Sequence, residues 1–292
     1  MLLSIIVLNY KRSDLTINCI NSLFEYFGKE FDKNLFEIIV VDNASKDESA
    51  LNINMEIKMK KFPNIIVKEN KENLGFGKGV NEAAKKAKGE LLLFLNNDTL
   101  IHDKGVQRMV FFMKDHHEIA ILGGKLTNID GTEQPSVGKF YDLKNVLLLM
   151  LGMQRFGVTD RNPKQIKEVD WVKGGLMMIR RNVFEKLNGF DEKIFMYTDD
   201  MELCFRANKS GFRTFFYPDI SVVHEDQGSS DRSFAIVNIY KGILYFYKKH
   251  KSPAQYTLVK LILYVKALVA IIFGSLTGNK YLTSTFKRAI QF

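Results

Sequence analysis

Two short acidic motifs carry the chemistry that can be read from this chain. Asn96-Asn97-Asp98 directly follows the apolar run Leu91-Leu92-Leu93-Phe94-Leu95. A carboxylate beside two amides offers oxygens to a hard divalent cation, Mg2+ or Mn2+, which bridges to phosphates. Asp98 is the candidate metal ligand, although Asn-Asn-Asp after a strand also serves as an ordinary turn or cap. Far downstream, Thr198-Asp199-Asp200 either caps a helix or supplies a general base. Moving a sugar from a nucleoside diphosphate to a hydroxyl needs both functions: a cation for the departing diphosphate and a carboxylate for the acceptor's proton. One base without a second, nucleophilic carboxylate favours direct displacement, with inversion at the anomeric centre. His224 closes an apolar run and is either structural or completes the metal site through a ring nitrogen. Trp171, the single tryptophan, is either core or a platform for a sugar.

These groups need a scaffold that brings them together. Leu2–Leu8, Phe36–Val41, Asn64–Lys68 and Leu91–Leu95 read as strands, the last of them buried on both faces,. Helical patterns separate them, the first capped by Ser13 or Asp14. That βαβαβαβ order predicts a parallel sheet with helices on both faces, an α/β fold. Ligands of such sheets sit beyond the carboxyl ends of the strands, so Tyr10, Asp42, Asn43 and Asp98 should meet along one edge. Gly75-Phe76-Gly77-Lys78-Gly79 follows the third strand, not the first, and lacks the Ser or Thr of a P-loop,. It reads as a loop of small residues that lets backbone approach a ligand at a helix N-terminus. Further on, a helix is expected over 104–115, a strand over 119–122, and a strand over 170–180 broken at Gly174-Gly175. Thr198-Asp199-Asp200 opens a helix through Asn208, and two short extended segments follow at 214–217 and 220–224. The apolar stretch Val146–Met153 is either part of a functional loop or a helix that patches the core.

Charge divides the chain near residue 240. Residues 241–292 hold eight Lys, Arg288 and no acid, so the whole formal net charge of +9 resides there. The lysines alternate with apolar runs, which favours anionic lipid over nucleic acid as the partner. Lys260 and Lys266 would each cost about 2.5–3.5 kcal/mol at a bilayer centre. The tail is therefore expected to lie in the membrane interface, with its lysines reaching phosphates, or else to pack on the body of the protein. Cys19 and Cys204 read as reduced core thiols, in keeping with the cytoplasm. No signal peptide is expected in Leu2–Leu8.

The order of motifs resembles the family 2 glycosyltransferases of the GT-A fold, and within them the rhamnosyltransferase-like branch. The matching stretches are Ser4–Tyr10, Val40–Ser45, Asn73–Asn81 and Leu93–Thr99, followed by Gly174-Gly175, Gly189–Glu192, Thr198–Leu203 and His224. The resemblance spans residues 1–230. It implies a GT-A domain, placed over 1–240 by the composition shift, with the basic helical, membrane-associating tail read from charge and apolar runs over 241–292. On the donor side it implies Tyr10, Asp42, Asn43, Asn73, Gly75, Lys78 and Asn97. The metal falls to Asp98 and His224, the base to Asp200 with Asp199, and the acceptor to Trp171, Gly174 and Gly175. The implied activity is inverting, metal-assisted transfer of a sugar, rhamnose by the branch, to a glycan or lipid-linked acceptor at the inner membrane face. Two departures stand out. Asn96-Asn97-Asp98 has one acid where many members have two, and the Gln-x-x-Arg-Trp signature of processive members is absent, which favours adding one sugar or few. The rival readings are a nucleotidyltransferase, which would carry a glycine loop after the first strand, and an inactive nucleotide-binding or membrane-scaffold module.

Overall fold

A computed structural model describes residues 1–225 and 231–292. The first half runs β1 (Leu3–Asn9), α1 (Ser13–Asp32), β2 (Phe36–Asp42), α2 (Ser49–Lys60), β3 (Ile65–Glu69), α3 (Gly75–Ala84) and β4 (Leu91–Asn96). Next come β5 (Thr99–Leu100), α4 (Gly105–Asp115), β6 (Ile119–Thr127), β7 (Glu133–Gln134), β8 (Val137–Gly138) and α5 (Leu143–Met150). The chain continues through β9 (Lys167–Glu168), β10 (Trp171–Val172), β11 (Leu176–Arg180), α6 (Arg181–Lys186), α7 (Asp199–Lys209) and β12 (Arg213–His224). Three helices follow: α8 (Arg232–His250), α9 (Pro253–Leu276) and α10 (Lys280–Ala289).

The main sheet has the order β3-β2-β1-β4-β11-β6-β12-β5. β3, β2, β1 and β4 are mutually parallel, as the alternation of strands and helices requires. β11 departs from that pattern and runs antiparallel to both β4 and β6. It enters from the ligand end, with Leu176 opposite Leu95. The glycines just before it therefore land at the carboxyl end of β4. The two extended segments expected at 214–217 and 220–224 form the single strand β12, irregular between Tyr217 and Ser221.

Side chains alternate between two cores. Ile5, Val7, Leu93 and Leu95 pack with Cys19, Leu23 and Phe27 of α1 and Met109 of α4. Ile6, Leu92 and Phe94 pack on the other face with Val80 of α3, Phe184 of α6 and Leu203 and Cys204 of α7. Both cysteines are free and buried. A third cluster joins Val146 and Met150 of α5 and Met201 of α7 to residues of α8, α9 and α10. The apolar stretch after 145 is thus a packing helix, and the charge shift near residue 240 falls inside α8, not at a break. α1 starts without the expected side-chain cap; Asp14 instead pairs with Arg12 at 3.1 Å.

Candidate active site

Four strand ends build the crevice. Asn9 lies level with Asp42, and Leu8 with Asn96, so Tyr10, Asp42, Asn43 and Asp98 stand along the carboxyl edge of β2, β1 and β4. His224 at the end of β12 pairs with Thr99, which brings it beside Asp98. β11 supplies Gly174-Gly175 from the opposite direction.

On the donor side much of the expected set is held in a scaffold. Asp42 is buried and accepts from Asn9 Nδ2 (2.6 Å), Ser45 Oγ (2.5 Å) and Ser45 N (3.0 Å). Asn43 donates to Asn73 Oδ1 (2.9 Å) and Gly75 O (3.0 Å), and accepts from Asn70 Nδ2 and Leu74 N, both at 3.1 Å. Both amide hydrogens and both lone pairs of Asn43 are in use,, so its side chain is committed to holding the loop. Asn97 Nδ2 donates to Thr16 Oγ1 (3.1 Å), which donates to Asn9 Oδ1 (2.8 Å). Tyr10 is half-buried, with Lys11 Nζ 5.2 Å from its ring centre. Lys78 is half-buried in the first turn of α3.

The glycine cluster corrects one expectation. Gly75, Gly77 and Gly79 are buried within α3 itself, not in a loop before it. Gly75 has φ +75, and a Cβ there would lie 2.3 Å from Phe195 O. Phe76 N donates to that same carbonyl at 2.9 Å, and a Cβ on Gly77 would meet Phe190 Cβ at 2.8 Å. The small residues let the protein's own segment 190–195 approach, and that contact is what the cluster demonstrably serves.

Asp98 is buried, and its Oδ1 lies 3.3 Å from His224 Nε2. The opposite ring nitrogen, Nδ1, is 2.8 Å from Gln134 Oε1, and Gln134 Nε2 donates back to His224 O at 2.9 Å. An amide oxygen accepts only, so Nδ1 carries a proton and Nε2 turns its lone pair towards Asp98 and Asn96 Nδ2, the latter at 3.0 Å,. Two electron-rich atoms facing each other with a carbonyl-anchored ring behind them form a donor set that suits a divalent cation. Among the described residues no third His, Cys, Asp or Glu joins them, so remaining ligands would come from diphosphate and water.

The candidate base stands in the first turn of α7. Asp200 is half-buried, accepting from Gly174 N (3.1 Å) and Met201 N (2.7 Å). Burial pushes its carboxyl above the ordinary range, while those two amides and Lys173 pull it back,. Asp199 is buried, and its Oδ2 has no partner among the described residues. Burial, then the charge of Asp200, raises it further. One dipeptide ties the two halves together: Gly175 O accepts from Asn96 N at 3.3 Å, while Gly174 N holds Asp200. A Cβ on Gly175 would press on Asn96 Nδ2 at 3.3 Å. Trp171 donates its indole N–H to Lys139 O (3.0 Å) and lies flat on Gly138, where a Cβ would come within 2.2 Å of the ring. It borders a small cavity of about 130 Å³ with Tyr141, Leu149 and Lys173.

Sequence reading missed Gln134, Lys173 and Tyr141. Gln134 lies in an irregular stretch and reaches His224 only through the fold. Lys173 had a signal, since it adjoins Gly174-Gly175. Burial raises the Tyr141 hydroxyl, with the nearby Asp200 charge adding to it.

Residues 4–188 match the family described as Glycosyl transferase family 2, and residues 156–225 match the one described as N-terminal domain of galactosyltransferase. Rhamnosyltransferase WbbL of Escherichia coli (strain K12) is 28% identical over 147 residues, covering 50% of this chain and 56% of the relative. The N-acetylglucosaminyl-diphospho-decaprenol L-rhamnosyltransferase of Mycobacterium tuberculosis (strain ATCC 25618 / H37Rv) is 23% identical over 218 residues, covering 67% of this chain and 68% of the relative. Mannosyltransferase PcManGT from Pyrobaculum calidifontis, solved with GDP-Man and Mn2+, superposes with a TM-score of 0.60 at 17% identity, covering 98% of this chain and 73% of that one. The superposition shows the GT-A fold. The strand-end crevice and the match over most of the first two hundred or so positions agree: this chain belongs to glycosyltransferase family 2.

Proposed function

We propose that the chain transfers one sugar, with inversion, from a nucleoside diphosphate donor to a hydroxyl of a glycan or lipid-linked acceptor. The observation that carries this reading is the Gly174-Gly175 dipeptide, whose backbone binds Asp200 on one side and Asn96 on the other. That shared backbone supports reading the base and the diphosphate end as parts of one site. Asp200 takes the proton of the acceptor hydroxyl as that oxygen bonds to the anomeric carbon, and the bond from that carbon to the diphosphate breaks. Asp199 is buried, which leaves Asp200 as the more accessible carboxylate of the pair and supports one displacement. Asp98 and His224 would hold Mg2+ or Mn2+, which neutralises charge on the departing diphosphate. Tyr10, Lys78 and the loop held by Asn43 and Asn73 line the donor side, and Trp171 lies towards the acceptor. The relatives named as rhamnosyltransferases favour rhamnose as the sugar.

The membrane belongs to the same reading. α9 is long and apolar enough to cross a bilayer by length and composition. One face of it, with Val259, Leu263 and Ala267, is buried against its neighbours. Leu261, Val265, Val269, Ile272 and Phe273 point outward and are more than half exposed or close to it. A helix clamped along one side suits the interface of the inner membrane face better than a span. To test the reading, donor turnover is assayed for wild type and Asp200→Asn, and the product anomer is read by NMR. A product that retains the donor's anomeric configuration, or undiminished transfer by the variant with donor binding intact, would remove Asp200 as base.

A further inference from the structure

A second cleft lies outside the crevice described above. It holds about 470 Å³ between segment 193–196, α8 and α10, a size in the range of small-molecule sites. Three separate elements each send a cation to it: Lys193 before the catalytic turn, Lys241 from α8 and Arg288 from α10. No carboxylate lines it among the described residues. The nearby Asp191 is already taken by Lys249 Nζ (2.6 Å) and the Tyr245 hydroxyl (2.8 Å). Lys241 Nζ rests 4.0 Å from the Phe292 ring centre, and Arg288 Nη1 makes a long contact of 3.4 Å to Ser233 Oγ. Three like charges lining one cleft repel, and an anion among them relieves that cost,. The walls are aromatic: Phe195 and Phe234 meet edge to face at 6.0 Å.

The cleft adjoins the base. Phe195 O holds Phe76 N at 2.9 Å, the Phe76 ring lies 3.7 Å from where a Gly174 Cβ would be, and Gly174 N holds Asp200. On the far side, α10 packs against α9, whose free face is apolar. Cations, aromatic walls and an apolar flank describe a receptor for an amphiphile that carries phosphate. We propose that this cleft binds the phosphate-bearing head of the acceptor, an apolar chain joined to one or two phosphates, and so presents the sugar beyond the phosphate to Asp200. The proposal rests on the glycosyltransferase reading and adds to it the place where the acceptor's phosphates are held.

The test is equilibrium binding to the full chain in EDTA, which leaves Asp98 and His224 without a cation. Farnesyl diphosphate and inorganic diphosphate are titrated into wild type, Lys193→Gln/Lys241→Gln and Arg288→Gln. All three substituted positions are exposed, and an unchanged melting temperature confirms the fold. The expected result is saturable binding of farnesyl diphosphate, weakened about tenfold by either variant. Tighter binding of farnesyl than of inorganic diphosphate assigns the chain as part of the ligand; equal binding assigns the phosphates alone, and both support an anion site here. Binding that ignores the substitutions, or none in wild type, overturns the proposal. Titration of UDP and dTDP with Mn2+ runs beside it. Failure of wild type to bind either nucleotide counts against the glycosyltransferase reading, whereas intact nucleotide binding with no diphosphate effect sinks only the cleft.

Discussion

Asp200 concentrates the chemistry at the scale of single residues. Its carboxyl is half-buried, which favours the neutral form, and two backbone amides favour the anion,. The net effect is upward, towards neutral pH, where a base has most to gain from each proton it accepts. Transfer should therefore rise with pH through an acid limb above the ordinary aspartate value of about 3.9. Asp200→Asn should lower kcat by about 10²–10⁴-fold and erase that limb, read from a pH–rate profile at saturating donor. Asp199 makes a different prediction, about stability. A carboxyl raised on folding holds its proton more tightly in the folded chain than in the unfolded one. Its contribution is full below the unfolded value and is lost as pH rises through the folded value. Asp199→Asn should thus raise the melting temperature increasingly towards pH 8 and leave it unchanged near pH 3. An equal shift at both pH values would mean that the buried charge is not the cause.

Elements position these residues, and two junctions decide how well. β7 brings Gln134 to His224, fixing which ring nitrogen faces Asp98. Gln134→Ala frees the ring, and Mn2+ affinity should drop about 10–100-fold as measured by metal titration. Unaltered affinity would show that the ring needs no such partner. The second junction joins α7 to α8. Glu202 is buried, with Arg206 Nε at 2.7 Å, Lys249 Nζ at 2.7 Å and His250 Nε2 at 2.9 Å. Arg206 in turn donates to Gly189 O at 2.7 Å, so one carboxylate ties the α6–α7 connection to the last helices. Those partners hold Glu202 below the usual carboxylate range against the effect of burial. Glu202→Ala removes the carboxylate from the largely buried Arg206 and His250, while Lys249 keeps Asp191, and should cost about 3–5 kcal/mol in urea unfolding. A loss under 1 kcal/mol, roughly the worth of a surface pair, would show the network to be solvent-screened.

For the whole molecule, the last three helices belong to the same body as the sheet. α8 passes residue 240 unbroken, and Gly242 approaches so closely that a Cβ would meet Thr198 Oγ1 at 2.0 Å. The turn that presents Asp199 and Asp200 is thus pressed by the helix that leads to α9. The apolar outward face of α9 and the Asp199–Asp200 turn are linked through packed helices, which suits the proposed delivery of an acceptor from a bilayer. Val265→Glu with Ile272→Glu places two charges on the outward face of α9. Flotation with anionic vesicles should fall sharply while the melting temperature holds, because neither side chain packs on the core. Flotation equal to wild type would locate membrane binding elsewhere or nowhere.

The amino-acid sequence alone determined the parallel half of the sheet, because strands of β-branched and apolar residues separated by amphipathic helices have one right-handed way to pack. It also determined that Asp42, Asn43 and Asp98 share an edge, since all of them end strands of that half. What it did not determine follows from distance along the chain. The antiparallel direction of β11, the reach of Gln134 to His224 and the closure of Asn43 on its own loop depend on contacts between segments with no shared local pattern. The glycine cluster is the sharpest instance: its composition fits a ligand-facing loop and a tightly packed helix equally well. Only the presence of Phe190 and Phe195 on the other side, brought there by the tertiary fold, decides between them.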